Sequence, residues 1–267
     1  MNSILSRAME IVYDYNKSSD YFIYQMGKVG STALEKSLSR SKHFHSLYGS
    51  GPCYVYVEQT RKGVLKKLRR TFGDALKRFA IKRKEKIKII TIVREPIGRS
   101  FSMFFQDLPY WLYSYIGRYG VDTRDEGLDI LVDAYWKAFD HKYYDSWFDC
   151  ELKRFTGIDV FEYPFNFDLG FVTIKNQKFE VFVTRSEDLG KFSVIEGLKE
   201  FCDTDISINP TNIGEKKWYS SVYKKFRSEI EINETQFKRF FDCKTSKHFY
   251  NKEEIEEFKK KYVNAVA

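Results

Sequence analysis

The chain has 267 residues, 43% of them apolar and 18% aromatic, enough for one large core or one core with a helical annex. No run approaches the eighteen or so apolar residues of a membrane span, and the N-terminus lacks the basic, apolar and small-residue succession of a secretory signal; a soluble, cytoplasmic protein is expected. The net charge of +8 is concentrated, because Arg61 to Lys88 carries 13 Lys or Arg against only Asp74 and Glu85.

Met1 to Lys17 reads as a short helix through Ile4, Met9, Ile11 and Val12, broken at Ser18-Ser19-Asp20. Tyr21-Phe22-Ile23-Tyr24 reads as a strand, Gly27-Lys28-Val29-Gly30 as a glycine turn, and the chain from Ala33 to Leu38 as a helix. That order suits an anion. Gly27 and Gly30 let the backbone approach a ligand, the first helical turn offers N–H groups, Lys28 adds a point charge, and Ser31 and Thr32 add hydroxyls. Lys42 to Leu47, with His43 and His45, is a second strand, followed by the Gly49-Ser50-Gly51-Pro52 turn. The basic segment reads as a helix with Val64, Leu65, Leu68, Phe72, Leu76, Phe79 and Ala80 on one face and cations elsewhere, suited to an anionic membrane surface, a polyanionic substrate or nucleic acid, or else a solvated face.

Ile87 to Val93 is β-branched almost throughout, as in a strand buried on both faces of a parallel sheet, and it runs into Arg94-Glu95-Pro96 and a helix from Ile97 to Leu108. The aromatic cluster from Phe104 to Tyr119 suits either core packing or an acceptor pocket that stacks on sugar rings. Gly127 to Phe155 reads as one long helix. Phe171–Ile174 and Phe179–Val183 form a hairpin, and helices over 187–201, 215–230, 234–242 and 252–263 complete a helical C-terminal half. The fold class is α/β with a central, mostly parallel sheet flanked by helices, as one domain over 1–267. Cys53, Cys150, Cys202 and Cys243 are scattered without zinc-like spacing, so reduced thiols and no metal are expected.

A nucleotide P-loop of the Walker type places its lysine after the second glycine, and Lys28 precedes Gly30, so that register fails. Lys28-Val29-Gly30-Ser31-Thr32 instead resembles the 5′-phosphosulfate loop of sulfotransferases. Val93-Arg94-Glu95-Pro96-Ile97-Gly98-Arg99-Ser100-Phe101-Ser102 resembles their 3′-phosphate segment, which pairs an arginine with a serine eight residues on, here Arg94 and Ser102. Trp147-Phe148-Asp149, Gly157-Ile158-Asp159-Val160, Arg185-Ser186-Glu187-Asp188-Leu189 and Lys217-Trp218-Tyr219-Ser220 resemble segments of a sulfotransferase-like capsular polysaccharide synthesis family with an Asn-Lys-Trp-Tyr-Ser motif. Lys216 stands where that motif has asparagine.

The resemblance implies a P-loop-like, three-layer fold and transfer of a sulfuryl group from 3′-phosphoadenosine-5′-phosphosulfate (PAPS) to a hydroxyl of a capsular or cell-surface glycan or its precursor. It also implies that no metal takes part. Gly27, Lys28, Val29, Gly30, Ser31 and Thr32 would hold the 5′-phosphate, with Lys28 stabilising the leaving oxygen, while Arg94 and Ser102 select the 3′-phosphate. A histidine suits the base; His45 is the first choice, with His43, His141 and Glu58 as rivals. The 61–88 segment is the expected contact with an anionic membrane or with substrate, and no nucleic-acid partner is expected. The alternatives are a P-loop kinase or NTPase, and a non-catalytic basic protein that binds membrane or nucleic acid.

Overall fold

The computed structural model describes residues 2–17, 20–49, 61–120, 127–206 and 217–263. In chain order the elements are α1 (Asn2–Asn16), β1 (Tyr21–Tyr24), α2 (Thr32–Ser37), β2 (Ser41–Phe44), α3 (Arg61–Lys82), β3 (Ile87–Val93), α4 (Pro96–Gln106), α5 (Leu108–Tyr119) and α6 (Leu128–Lys137). They continue as α7 (Tyr143–Trp147), a π-helical turn (Phe148–Lys153), α8 (Arg154–Thr156), β4 (Phe171–Lys175), β5 (Phe179–Arg185), α9 (Phe192–Cys202), α10 (Ser220–Glu229), α11 (Glu234–Phe241), α12 (Lys244–Phe249) and α13 (Lys252–Tyr262). The chain forms two compact units, 1–94 with 143–210 and 95–142 with 211–267.

The first unit holds a five-stranded sheet in the order β2-β1-β3-β5-β4, parallel except for the antiparallel edge strand β4. The α/β class with a mostly parallel sheet is therefore as the sequence predicts. β3 and β5 share one burial pattern, with six of seven residues buried, which explains why apolar and β-branched residues run through them without alternation. The β4–β5 hairpin turns at Asn176, whose side-chain oxygen accepts from the N–H groups of Lys178 (3.0 Å) and Phe179 (2.7 Å). Phe22, Ile23, Tyr24, Ile89, Ile90, Val181 and Phe182 are fully buried in the sheet.

The second unit is helical, around an aromatic core. Phe101, Phe104 and Phe105 of α4, Trp111 of α5, Tyr135 of α6 and Phe226 of α10 are all buried there. The Phe104–Tyr119 stretch thus supplies core residues, although Tyr113 and Tyr119 remain exposed. Glu95 caps α4 by accepting from the Gly98 N–H and is held in turn by the Tyr262 hydroxyl at 2.8 Å. Capping boxes at Asn233/Gln236 and Asn251/Glu254 start α11 and α13.

The long helix expected over 127–155 does not form. α6 stops at Lys137 because two side chains make better local bonds than a further turn would. His141 Nε2 donates to the Tyr135 carbonyl at 2.8 Å, one of the orphan carbonyls of the helix end, and Asp140 accepts from the Lys142 N–H at 3.0 Å. The second strand also ends three residues early, at Phe44, since Ser46 and Leu47 turn to bond a carboxylate instead.

Candidate functional site

β1 carries the chain into Gln25–Ser31, a turn whose backbone needs two left-handed residues, Lys28 (φ 72°) and Gly30 (φ 84°). Glycine adopts that conformation freely, but lysine pays about 1–2 kcal/mol for it. A Cβ at residue 30 would also lie 3.1 Å from Ser186 Oγ, in the turn that follows β5. Gln25, Met26, Gly27 and Val29 are buried, Lys28 is half-buried, and Gly30 is exposed.

The sheet order locates this turn functionally. From β1 the chain moves to one side, to β2, and then crosses to the other side for β3. The segments leaving β1 and β3 therefore diverge, which opens the crevice where open α/β sheets bind ligands. Thr91 donates to the Tyr24 carbonyl at 2.6 Å and locks the two strand ends together, and Arg94, leaving β3, donates to the Lys28 carbonyl at 3.3 Å. Arg94 thus reaches the backbone of the turn that carries Lys28.

α2, which follows the turn, has only six residues, and Ser31 does not cap it. The Ser31 hydroxyl donates to Glu35 Oε1 at 2.7 Å, and Glu35 also faces His43 Nδ1 at 2.9 Å. With its Nδ1–H on the carboxylate, neutral His43 accepts at Nε2 from the Gln25 amide, 3.4 Å away. Burial, and secondarily the neighbouring His45, push His43 down to about 4. His43 is therefore neutral near pH 7 and oriented by Glu35. His45 packs edge-on against it, with ring centroids 4.4 Å apart, and is exposed. Its Nδ1 lies 3.1 Å from the Gln25 carbonyl, an acceptor only, so the proton sits on Nδ1 and the basic lone pair on Nε2.

The His45 segment is clamped from far along the chain. Trp147 Nε1 donates to the His45 carbonyl at 2.9 Å. Glu151, fully buried on the π-helical turn, accepts from Ser46 Oγ (2.6 Å), the Leu47 N–H (2.8 Å), the Tyr48 N–H (3.2 Å) and the Tyr24 hydroxyl. Burial and the Glu151 charge raise the Tyr24 phenol far above its ordinary range, which keeps it a donor. Single π-turns often occur at sites that need a side chain re-aimed, and this one turns Glu151 into the core.

The structure therefore gathers Gly27–Thr32, His43, His45 and Arg94 in the first unit. Ser102 lies on α4 of the second unit, its hydroxyl 3.3 Å from that of Tyr223. His141 lies there too, packed among the rings of Tyr135, Trp136, Phe139 and Phe240 and lowered to about 4 chiefly by burial, as a structural histidine would be. Glu58 falls outside the described residues. Gln25, Glu35, Ser186 and Glu151 escaped sequence reasoning; the Ser31/Glu35 spacing of four on a helix was the one local signal. Among the described residues, no group of three or more His, Cys, Asp or Glu is arranged to hold a metal.

Residues 122–251 match the NKWYS family, described as "Putative capsular polysaccharide synthesis protein". No curated protein and no solved structure matches the chain. The matched stretch contains the clamp residues Trp147 and Glu151, the Ser186 turn and Lys217-Trp218-Tyr219-Ser220, whereas the Lys28 turn, His45 and Arg94 precede it. Within the motif, Tyr219 is buried against Phe105 and Tyr223, and Trp218 is 74% exposed, so only part of the motif serves the core.

Two expectations follow from this geometry. Lys28→Gly should stabilise the fold by roughly 0.5–1 kcal/mol, the relieved left-handed strain less the added freedom of an unfolded glycine. Denaturant melts check this; a loss of stability would mean that the lysine side chain holds the turn. The second concerns acid. The folded-state pKa values of His43 and His141, each about 4, lie below the ordinary 6.5, so the unfolded chain binds more protons between those limits. Their contribution is fully present above pH 6.5 and is lost as pH falls toward 4, at up to about 3 kcal/mol for each histidine. His141→Phe should remove about half of the pH 6.5-to-5 slope in melts, and an unaltered slope would mean that His141 is charged in the fold.

Proposed function

We propose that this protein transfers a sulfuryl group from PAPS to a hydroxyl of a capsular or cell-surface glycan or its precursor, through a P-loop-like phosphate turn. One observation carries the reading: the carbonyl of Gln25 faces His45 and that of Lys28 receives Arg94, so the short turn that carries Lys28 draws in a guanidinium and an imidazole of defined tautomer. The match to a capsular polysaccharide synthesis family supports a glycan as acceptor.

The donor set fits the ligand by its chemistry. Lys28 and Arg94 supply positive charge for phosphate oxygens, and Arg94 offers the planar fork suited to a phosphate monoester. Left-handed residues such as Lys28 and Gly30 are of the kind from which anion-binding nests are built. Ser31 would exchange its bond to Glu35 for one to the phosphate, and Thr32 adds a second hydroxyl. Ser102 joins the 3′-phosphate assignment on its sequence spacing from Arg94.

In the proposed reaction the sulfur–oxygen bond to the phosphate breaks as the bond from sulfur to the acceptor oxygen forms. Lys28 stabilises the charge that grows on the departing phosphate oxygen. His45 takes the acceptor's proton at Nε2 while the Gln25 carbonyl stabilises the imidazolium through Nδ1–H. His43, neutral and oriented by Glu35, packs against the base without competing for that proton.

Incubation with donor labelled in its sulfuryl group and with capsular polysaccharide or its lipid-linked precursor tests the proposal. Label should enter the glycan and should depend on Lys28 and His45. Phosphate label entering from ATP with magnesium, with no transfer of sulfuryl label, would establish a kinase instead.

A further inference from the structure

α3 leaves part of its apolar stripe in solvent, while Ala80 of that stripe is buried and Leu76 half-buried. At about 100° per residue Leu68, Phe72 and Phe79 fall within a roughly 40° arc, and this ridge points outward: the three side chains are 60%, 56% and 55% exposed. The opposite side of the helix carries the buried residues Asp74 and Ile81. Asp74 is the one carboxylate of α3, and it turns inward to meet Lys77 at 3.0 Å.

The exposed apolar surface continues onto α1. Asn16 joins that helix to α3 by donating to the Ala80 carbonyl at 3.1 Å. Arg83 lines a groove together with Met9, Val12 and Tyr13, and its guanidinium lies 5.5 Å from the centre of the Phe79 ring. Met9 and Tyr13 are both 61% exposed. Cations border this surface: Arg69, Lys82 and Arg83 are exposed and flank the ridge at helical spacing.

We propose that the Leu68–Phe72–Phe79 ridge, with Met9 and Tyr13, seats this unit on an anionic bilayer surface, the rings and leucine entering the headgroup boundary while the bordering cations meet lipid phosphates. Single exposed apolar residues are ordinary, but a ridge of one leucine and two phenylalanines at the centre of the solvent side of a helix is not. The border decides which partner covers it. Arg69, Lys82 and Arg83 flank the ridge and no carboxylate of α3 does, so a second copy of this face would bring like charges together, whereas an anionic membrane complements them. Long cationic side chains also keep their charge at headgroup level while their stems pack on apolar surface. The proposal is independent of the chemistry assigned to the Lys28 turn.

Co-sedimentation of the full chain with vesicles tests it, using phosphatidylcholine alone and with about a third phosphatidylglycerol. Binding to the anionic vesicles should be at least ~10-fold tighter and should fall steeply from about 0.05 M to about 0.5 M salt. Leu68→Ser/Phe72→Ser/Phe79→Ser should weaken it by a further ~10-fold or more with an unchanged melting temperature, since these side chains already face water. Phe192→Ser, at a 78% exposed aromatic of α9, should change nothing. Three results would overturn the proposal: no binding to anionic vesicles at low salt, binding by the triple variant equal to that of the unmodified chain, or a dimer that the triple variant dissolves.

Discussion

Lys28→Ala is expected to lower turnover with PAPS by roughly 10²–10³-fold while leaving the fold in place. The size follows from the role: one preorganised positive group aimed at a leaving oxygen is needed chiefly when that oxygen becomes negative, so its loss falls on kcat more than on donor affinity. Alanine tolerates a left-handed backbone no better than lysine, and the side chain is half-buried at the turn, so the fold should change little. Lys28→Arg keeps the charge but replaces a compact ammonium with a planar fork, and only partial rescue is expected. Steady-state kinetics of the three forms decide the matter. Turnover within threefold of the unmodified protein for the alanine variant would move the role to another group.

Glu151→Ala should be the most damaging single change to the first unit. It would leave the hydroxyls of Tyr24 and Ser46 and the N–H groups of Leu47 and Tyr48 without their shared acceptor, in a place that water does not reach. Hydrogen bonds to a charged acceptor contribute about 1.5–3 kcal/mol each and do not add fully, so a loss of about 4 kcal/mol or more is expected. That is a large part of the stability of an ordinary domain. The segment that loosens carries His45, the proposed base, so donor affinity, assigned to the Arg94 side of the turn, should survive in the cold better than turnover does. A denaturant midpoint that moves by less than about 1 kcal/mol equivalent would mean that the segment is held by other contacts.

Much of the first unit was legible because its signals are local. The β-branched run Ile87 to Val93 and the Asn176 hairpin turn each declare themselves within a few residues, and both formed as read. The turn after β1 was legible as a spacing of glycines, but not its need for a left-handed lysine, which no side-chain pattern encodes. Where side-chain bonds rather than periodicity decide, the sequence misled. The apolar periodicity through 127–155 is real, yet His141 folding back on Tyr135 ends α6, an outcome set by an imidazole rather than by propensity. Glu151 was invisible because its four donors come from residues 24 and 46–48, about a hundred positions away or more. The basic helix was found, but periodicity alone does not say whether an apolar stripe faces the core or the solvent. The spacing of His43 and His45 suited one extended run, but β2 ends at Phe44, before His45, and the Gln25 carbonyl that defines the tautomer of His45 could not be read.

The assignment of a 3′-phosphonucleotide donor rests on Arg94 beside the Lys28 turn, and calorimetric titration with adenosine 3′,5′-bisphosphate and with AMP tests it most directly. The two ligands differ by one phosphate, so their affinity difference isolates what that group gains. The account predicts that the bisphosphate binds ~10–100-fold more tightly, the worth of one or two charge-assisted bonds, and that Arg94→Ala brings the two affinities together without weakening AMP. Equal affinity of the unmodified protein for the two nucleotides would contradict it.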